Sequence, residues 1–108
     1  YGGTCPLAPG TWEAGVFSFW DINANYLDKE GWTRHWDADA KTPYLASDSA
    51  KGLIVYDDKE SIAIKAEWAK TKGFAGFMWW ESSDDPEFIL ATAAINAWNG
   101  KAANATQH

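Results

Sequence analysis

Between the pair Lys72-Gly73 and the acidic Glu81 lies Phe74-Ala-Gly-Phe-Met-Trp-Trp80, seven consecutive apolar or small residues. A strand with one wet face would show a polar side chain at every second position, and none occurs here. The pattern predicts a strand covered on both faces, as the parallel strands of α/β proteins are. The run is entered from a helical pattern and left at Glu81-Ser-Ser-Asp-Asp85. Two tryptophans therefore sit at its carboxyl end, where α/β folds place their ligands. Neighbouring residues on a strand point to opposite faces, so only one of Trp79 and Trp80 can face a site and the other belongs under the flanking helices.

The rest of the chain cannot surround such a strand with a full barrel. One hundred and eight residues make one domain at most, against the roughly 250 of a complete eight-stranded α/β barrel. Loop composition fills residues 1–15, where two Pro and four Gly break any period and carry Trp12 and Glu13, candidates for a ligand rim. Val16, Phe19, Trp20, Ile22, Tyr26 and Leu27 approximate the apolar face of a helix. Three short runs follow, Gly31–Asp37, Thr42–Ala46 and Gly52–Tyr56, separated by polar turns, and they predict an antiparallel meander. In the first run Trp32, Arg34 and Trp36 share one face and Thr33 and His35 the other; His35 reads as a strand histidine rather than a general acid or base.

Asp57-Asp-Lys-Glu60 opens the best-defined helix, with Asp57 as the expected N-cap, Ile62, Ala66 and Ala69 as its buried stripe, and Gly73 as its terminator. Asp85-Pro-Glu87 predicts a last helix with Pro at its first position, running through Phe88 and Ala94 to Gly100. A lone buried strand among these elements leaves its backbone groups without neighbours, so something else must pair with it.

Charge and composition narrow the partners. A net charge of −6 argues against nucleic acid and anionic membrane, and no stretch of 18 apolar residues is present to span a bilayer. Eight tryptophans point to a heavy core or to a surface that stacks on flat ligands such as sugars. The single Cys5 forms no internal disulfide or thiolate metal site, and His35 and His108 are no metal pair, so neither metal nor cofactor is expected. No Met or basic-then-apolar leader precedes Tyr1, so processing or excision is expected to have made this N-terminus.

Five segments in register carry a resemblance: Tyr1-Gly2, Pro9-Gly-Thr-Trp-Glu13 with Gly15, Lys41-Thr-Pro-Tyr-Leu45, Tyr56-Asp-Asp58 with Glu60-Ser-Ile62 and Lys65, and Lys72-Gly73 with Gly76, Met78, Trp80-Glu81, Ser83 and Asp84-Asp85. Together they resemble the C-terminal part of family 18 glycoside hydrolases, the chitinases. The resemblance implies an α/β fold: the C-terminal segment of a (β/α)8 TIM barrel with an α+β insertion domain. Residues 1–56 then correspond to the insertion domain, and residues 57–100 to the last part of the barrel, with its seventh helix, eighth strand at 74–80 and eighth helix. Residues 101–108 form a tail.

By position, Trp80 resembles the tryptophan that floors the sugar site at the cleavage point, Tyr1 a sugar-contacting tyrosine, Glu13 a rim acid and Trp12 its aromatic neighbour. Gly3 stands where the family's motif has an arginine. The family's Asp-x-x-Asp-x-Asp-x-Glu signature, whose Glu protonates the leaving oxygen, does not occur in this chain. Asp85-Pro-Glu87 has an Asp-x-Glu spacing but reads as a helix cap.

The implied role is one wall of a groove for chitin or N-acetylglucosamine oligomers in a secreted enzyme, with no catalytic residue in this chain. The rival is a small lectin-like protein binding the same sugars through Trp12, Trp32, Trp36 and Trp80. For the polypeptide alone, pairing of the 74–80 strand with the remainder of a barrel, or self-association through it, is expected.

Overall fold

A computed structural model describes residues 7–101. Tyr1, Cys5, His108 and the rest of the tail beyond Lys101 lie outside them. The order is α1 (Phe19–Asn25), β1 (Thr33–Asp37), β2 (Thr42–Ser47), β3 (Gly52–Val55), α2 (Lys59–Thr71), a 3-10 turn at Ser82–Asp84, and α3 (Ile89–Trp98).

The expected meander is present. β2 lies between β1 and β3, antiparallel to both, with Arg34 and Ile54 flanking Leu45 from either side. Its inward side chains, Pro43, Leu45 and Ser47, alternate with less buried neighbours. Leu45, Ile54 and Tyr56 close a core with Ile22 of α1, against which Phe17, Tyr26 and Trp32 pack. Trp32 lies so close over Gly52 that a Cβ there would sit 2.7 Å from its ring, so the turn into β3 needs glycine. On the outward face His35 stacks on its cross-strand partner Tyr44, with centroids 5.0 Å apart. That is the strand histidine the alternation predicts.

α2 forms over the expected span with a different cap. Asp58, not Asp57, is the N-cap: its carboxylate accepts the Ser61 N–H at 2.9 Å, and the Ser61 hydroxyl accepts the Asp58 N–H at 2.9 Å. Asp57 instead pairs with Lys65 at 2.7 Å, since two consecutive aspartates cannot both occupy the cap. Gly73, with φ +82°, follows the last turn and ends the helix in the left-handed conformation that favours glycine. Ala66 of α2 meets Ala94 and Ala97 of α3 in a second apolar cluster, where small side chains let the two helices approach closely. α1 is shorter than its apolar pattern predicts, because Val16 and Phe17 belong to the preceding loop.

α3 starts at Ile89, three residues after Pro86. The structure corrects the expectation of Pro at the first helical position. Phe88 takes the N-cap position at φ 56°, a conformation in which it offers no cap. Asp85 caps from outside instead, its oxygens accepting the N–H groups of Ile89 (2.9 Å), Leu90 (3.0 Å) and Ala91 (3.1 Å).

The largest departure is the run from Phe74 to Trp80. It is irregular and exposed throughout, and among the described residues no strand pairs with it. The reason is non-local: a parallel-type strand draws its ladder and its cover from chain distant in sequence. Phe77 finds partial cover against Trp98 and Trp79, at 5.6 and 5.8 Å between ring centroids. Met78, 82% exposed, finds none of comparable extent.

Candidate functional site

Trp80 ends this extended run and is 87% exposed, whereas Trp79 is 44% exposed and rests on Phe77. The two tryptophans differ in degree only: both are exposed, and Trp79 is not under the flanking helices, where one of the pair is expected. The Trp80–Glu81 peptide is cis. Glu81 follows, its carboxylate accepting the Ser83 hydroxyl, and then comes the short turn that carries Asp84.

Trp80, Glu81 and Asp84 border a cleft of about 1260 Å³ whose walls also include Met78, Trp79, Val55 and Tyr56. An open indole beside carboxylates at the edge of an apolar wall is the chemistry that takes a sugar: the ring covers the apolar sugar face and acceptors meet its hydroxyls.

Trp12 and Glu13 do not line this cleft. They sit on a tight loop closed by Thr11 N–H to Val16 C=O at 2.9 Å and Val16 N–H to Glu13 C=O at 3.1 Å. Gly10, at φ +72°, makes the loop possible, since a Cβ there would fall 1.9 Å from the Glu13 carbonyl oxygen. The whole Pro-Gly-Thr-Trp-Glu segment is therefore a backbone device as well as a bearer of side chains. Both Trp12 and Glu13 are exposed, and Trp12 is joined to the far end of the site through its indole N–H, 3.2 Å from Asp84 Oδ1 and 2.9 Å from Ser18 Oγ. Tyr1 falls outside the described residues.

Two residues that sequence reasoning missed, Ser18 and Asp84, join the rim loop to this region, and a third, Arg34, ties the meander to α2. Ser18 is buried and donates its hydroxyl to Asp84. A polar residue between Phe17 and Phe19 was the available signal, but its partner lies 66 positions away. Asp84 was hidden in an acidic run that reads as a solvated rim. Arg34 bridges the meander to α2, with Nη2 2.7 Å from Asp58 and 3.6 Å from Glu60, while its guanidinium lies over Trp36 at 5.6 Å. Burial works against the Arg34 charge, but the hydrogen bond and charge of Asp58 outweigh it and hold the pKa above its ordinary value.

Asp85 is consumed by the three α3 amides, which accounts for its Asp-x-Glu spacing with Glu87. Among the described residues no group of three His, Cys, Asp or Glu side chains is placed to hold a metal.

Comparison with known proteins decides the family. The family model described as glycosyl hydrolases family 18 matches residues 2–85. The chain belongs to this family. It is 53% identical over 76 residues to chitinase A1 of Niallia circulans, a match that takes in 70% of this chain and 11% of that protein. Among solved structures it superposes on chitinase ChiA74 from Bacillus thuringiensis with a TM-score of 0.76 and 34% identity, over 91% of this chain and 18% of that one. A family 18 N-acetylglucosaminidase from Paenibacillus barengoltzii gives a TM-score of 0.67 and 35% identity, covering 79% of this chain and 24% of the other. This family 18 chain thus spans between about a tenth and a quarter of these three proteins. Its mixed helices and strands are a segment of the (β/α)8 barrel fold of family 18 chitinases.

Proposed function

We propose that this chain forms one wall of a groove that binds chitin, the β-1,4-linked polymer of N-acetylglucosamine, in a chitin-hydrolysing enzyme, and that it supplies no acid catalysis itself. The observation that carries the reading is Trp80, an almost fully open indole beside Glu81 and Asp84 at the edge of an apolar cleft, in a chain of glycosyl hydrolase family 18. Trp80 stacks on the sugar, Glu13 and Trp12 stand on the rim, and Tyr1 contributes a further polar contact. Residues 1–56 make the insertion domain and residues 57–100 the last part of the barrel; the separate apolar clusters around Leu45 and around Ala94 support that division. Because chitin is an insoluble polymer, the protein acts outside the cell.

A four-tryptophan lectin surface is disfavoured by the occupation of two of the four. Trp32 lies edge-on to Tyr26 at 5.3 Å over Gly52, and Trp36 carries the Arg34 guanidinium.

The test is Trp80→Ala in the native polypeptide, with affinity for N-acetylglucosamine oligomers measured by titration calorimetry. A loss of about 1–3 kcal/mol, roughly 5- to 150-fold, is expected for truncating an exposed aromatic anchor. A folded variant that binds as the parent does would remove Trp80 from the groove.

A further inference from the structure

The resemblance offers Trp12 as an aromatic neighbour of the rim acid, but its hydrogen bonds give it another task. Its indole N–H is donated both to Ser18 Oγ at 2.9 Å and to Asp84 Oδ1 at 3.2 Å. The Ser18 hydroxyl is donated to that same carboxylate oxygen. Ser18 is 2% exposed, so its hydroxyl is shielded from solvent. Its backbone is held from the other side: Ser18 N–H donates to Thr11 Oγ1 at 3.0 Å, the Thr11 hydroxyl donates to Asp21 Oδ2 at 2.6 Å, and Asp21 also accepts from Asn25 Nδ2 at 2.7 Å. A continuous polar chain thus runs from α1, through the rim loop, to the turn four residues beyond Trp80.

That chain meets a need. The run carrying Trp80 has no strand partner among the described residues, and the open indole takes part in none of the ring contacts found among them. A side chain held so loosely loses affinity to the entropy of ordering unless nearby backbone is fixed beforehand. We propose that Trp12 and Ser18 are positioning residues, latching the rim loop to the Trp80 segment through Asp84, and that Trp12 serves the site through its N–H rather than by offering its ring to sugar. The proposal rests on the reading that Trp80 contacts sugar.

Trp12→Phe separates the two roles, because it keeps an aromatic ring and removes the donor. In the native polypeptide Trp12→Phe is expected to bind N-acetylglucosamine oligomers about 3- to 10-fold more weakly, as weakly as Trp12→Ala. Ser18→Ala should do the same, with Ser18→Thr recovering affinity because it restores the hydroxyl. Amide exchange over residues 80–85 should quicken in Trp12→Phe. Parental affinity in Trp12→Phe beside a weakened Trp12→Ala would return the ring to a sugar-stacking role and overturn the latch. So would a lowered melting temperature with affinity untouched, which marks a link that is merely structural. Should Trp80→Ala itself bind like the parent, the groove reading has failed; the latch then stands if exchange at 80–85 quickens in Trp12→Phe, and falls if it does not.

Discussion

Tyr56 shows how a single group can be settled by its surroundings and still be left wanting. Its ring belongs to the core with Leu45 and Ile54, yet its buried hydroxyl makes no hydrogen bond of good geometry among the described residues, the Arg34 guanidinium lying nearby without satisfying it. Burial pushes the phenol pKa above its ordinary value, the nearby Arg34 cation opposes this, and Asp58 adds to it. A buried orphan hydroxyl costs about 1–3 kcal/mol, so Tyr56→Phe is expected to leave stability at neutral pH unchanged or slightly raised. The pH dependence has a definite sign. With the folded pKa raised, the unfolded chain releases its proton first, from about pH 10 upward, and stability falls from there toward the folded value. Below about pH 10 the contribution is whole. Urea midpoints at about pH 8 and pH 11 should therefore diverge less for Tyr56→Phe than for the parent. Equal divergence would mean that the phenol has found a partner that keeps its pKa ordinary. None of this was legible in the sequence, where Tyr56 is one more aromatic at a strand end, whereas the place of Trp80 at the end of an apolar run, before Glu81, is a local fact.

At the level of elements, what could be read in advance is what short-range chemistry decides. The meander announced itself by β-branched and aromatic runs between polar turns, and α2 by its acidic start and Gly73 stop. The misjudged start of α3 has a physical cause in the same terms. Pro86 satisfied the local preference for a first helical residue, but the Asp85 carboxylate reaches forward to three amides, Ile89 to Ala91, and the chain turns through Pro86 and Glu87 before the helix begins. Asp85 is buried, and its charge lies at the positive end of the helix. Asp85→Ala is accordingly expected to cost about 2–3 kcal/mol, the loss of a cap with charge-assisted bonds. Asp85→Asn, which keeps one acceptor oxygen, should cost less. Chemical denaturation of the two variants checks the order; equal stability of Asp85→Ala and parent would mean that water caps these amides as well as the carboxylate does.

For the molecule as a whole, the decisive quantity is the apolar surface left open along 74–80. Phe74, Phe77, Met78 and Trp79 are all exposed there, beside Leu53, Val55 and Trp68, and the run's backbone has no ladder partner among the described residues. An unpaired extended edge with bulky apolar side chains is a template for association. A polypeptide of these 108 residues alone is therefore expected to self-associate, with a sedimentation-average mass that rises with concentration. Met78, the most open residue of the run not assigned to sugar, allows the two settings of the segment to be told apart. In the isolated polypeptide Met78→Lys places a charge on an exposed edge, which should shift the population toward monomer. If residues 74–80 form the last barrel strand, as we propose, the same position is covered in the native polypeptide, and an unpaired lysine there should destabilise it by several kcal/mol. One substitution should thus help the segment and harm the whole. If the isolated polypeptide sediments as a monomer at all concentrations with 74–80 slow to exchange, the run has found cover within these residues and the opposition of signs disappears.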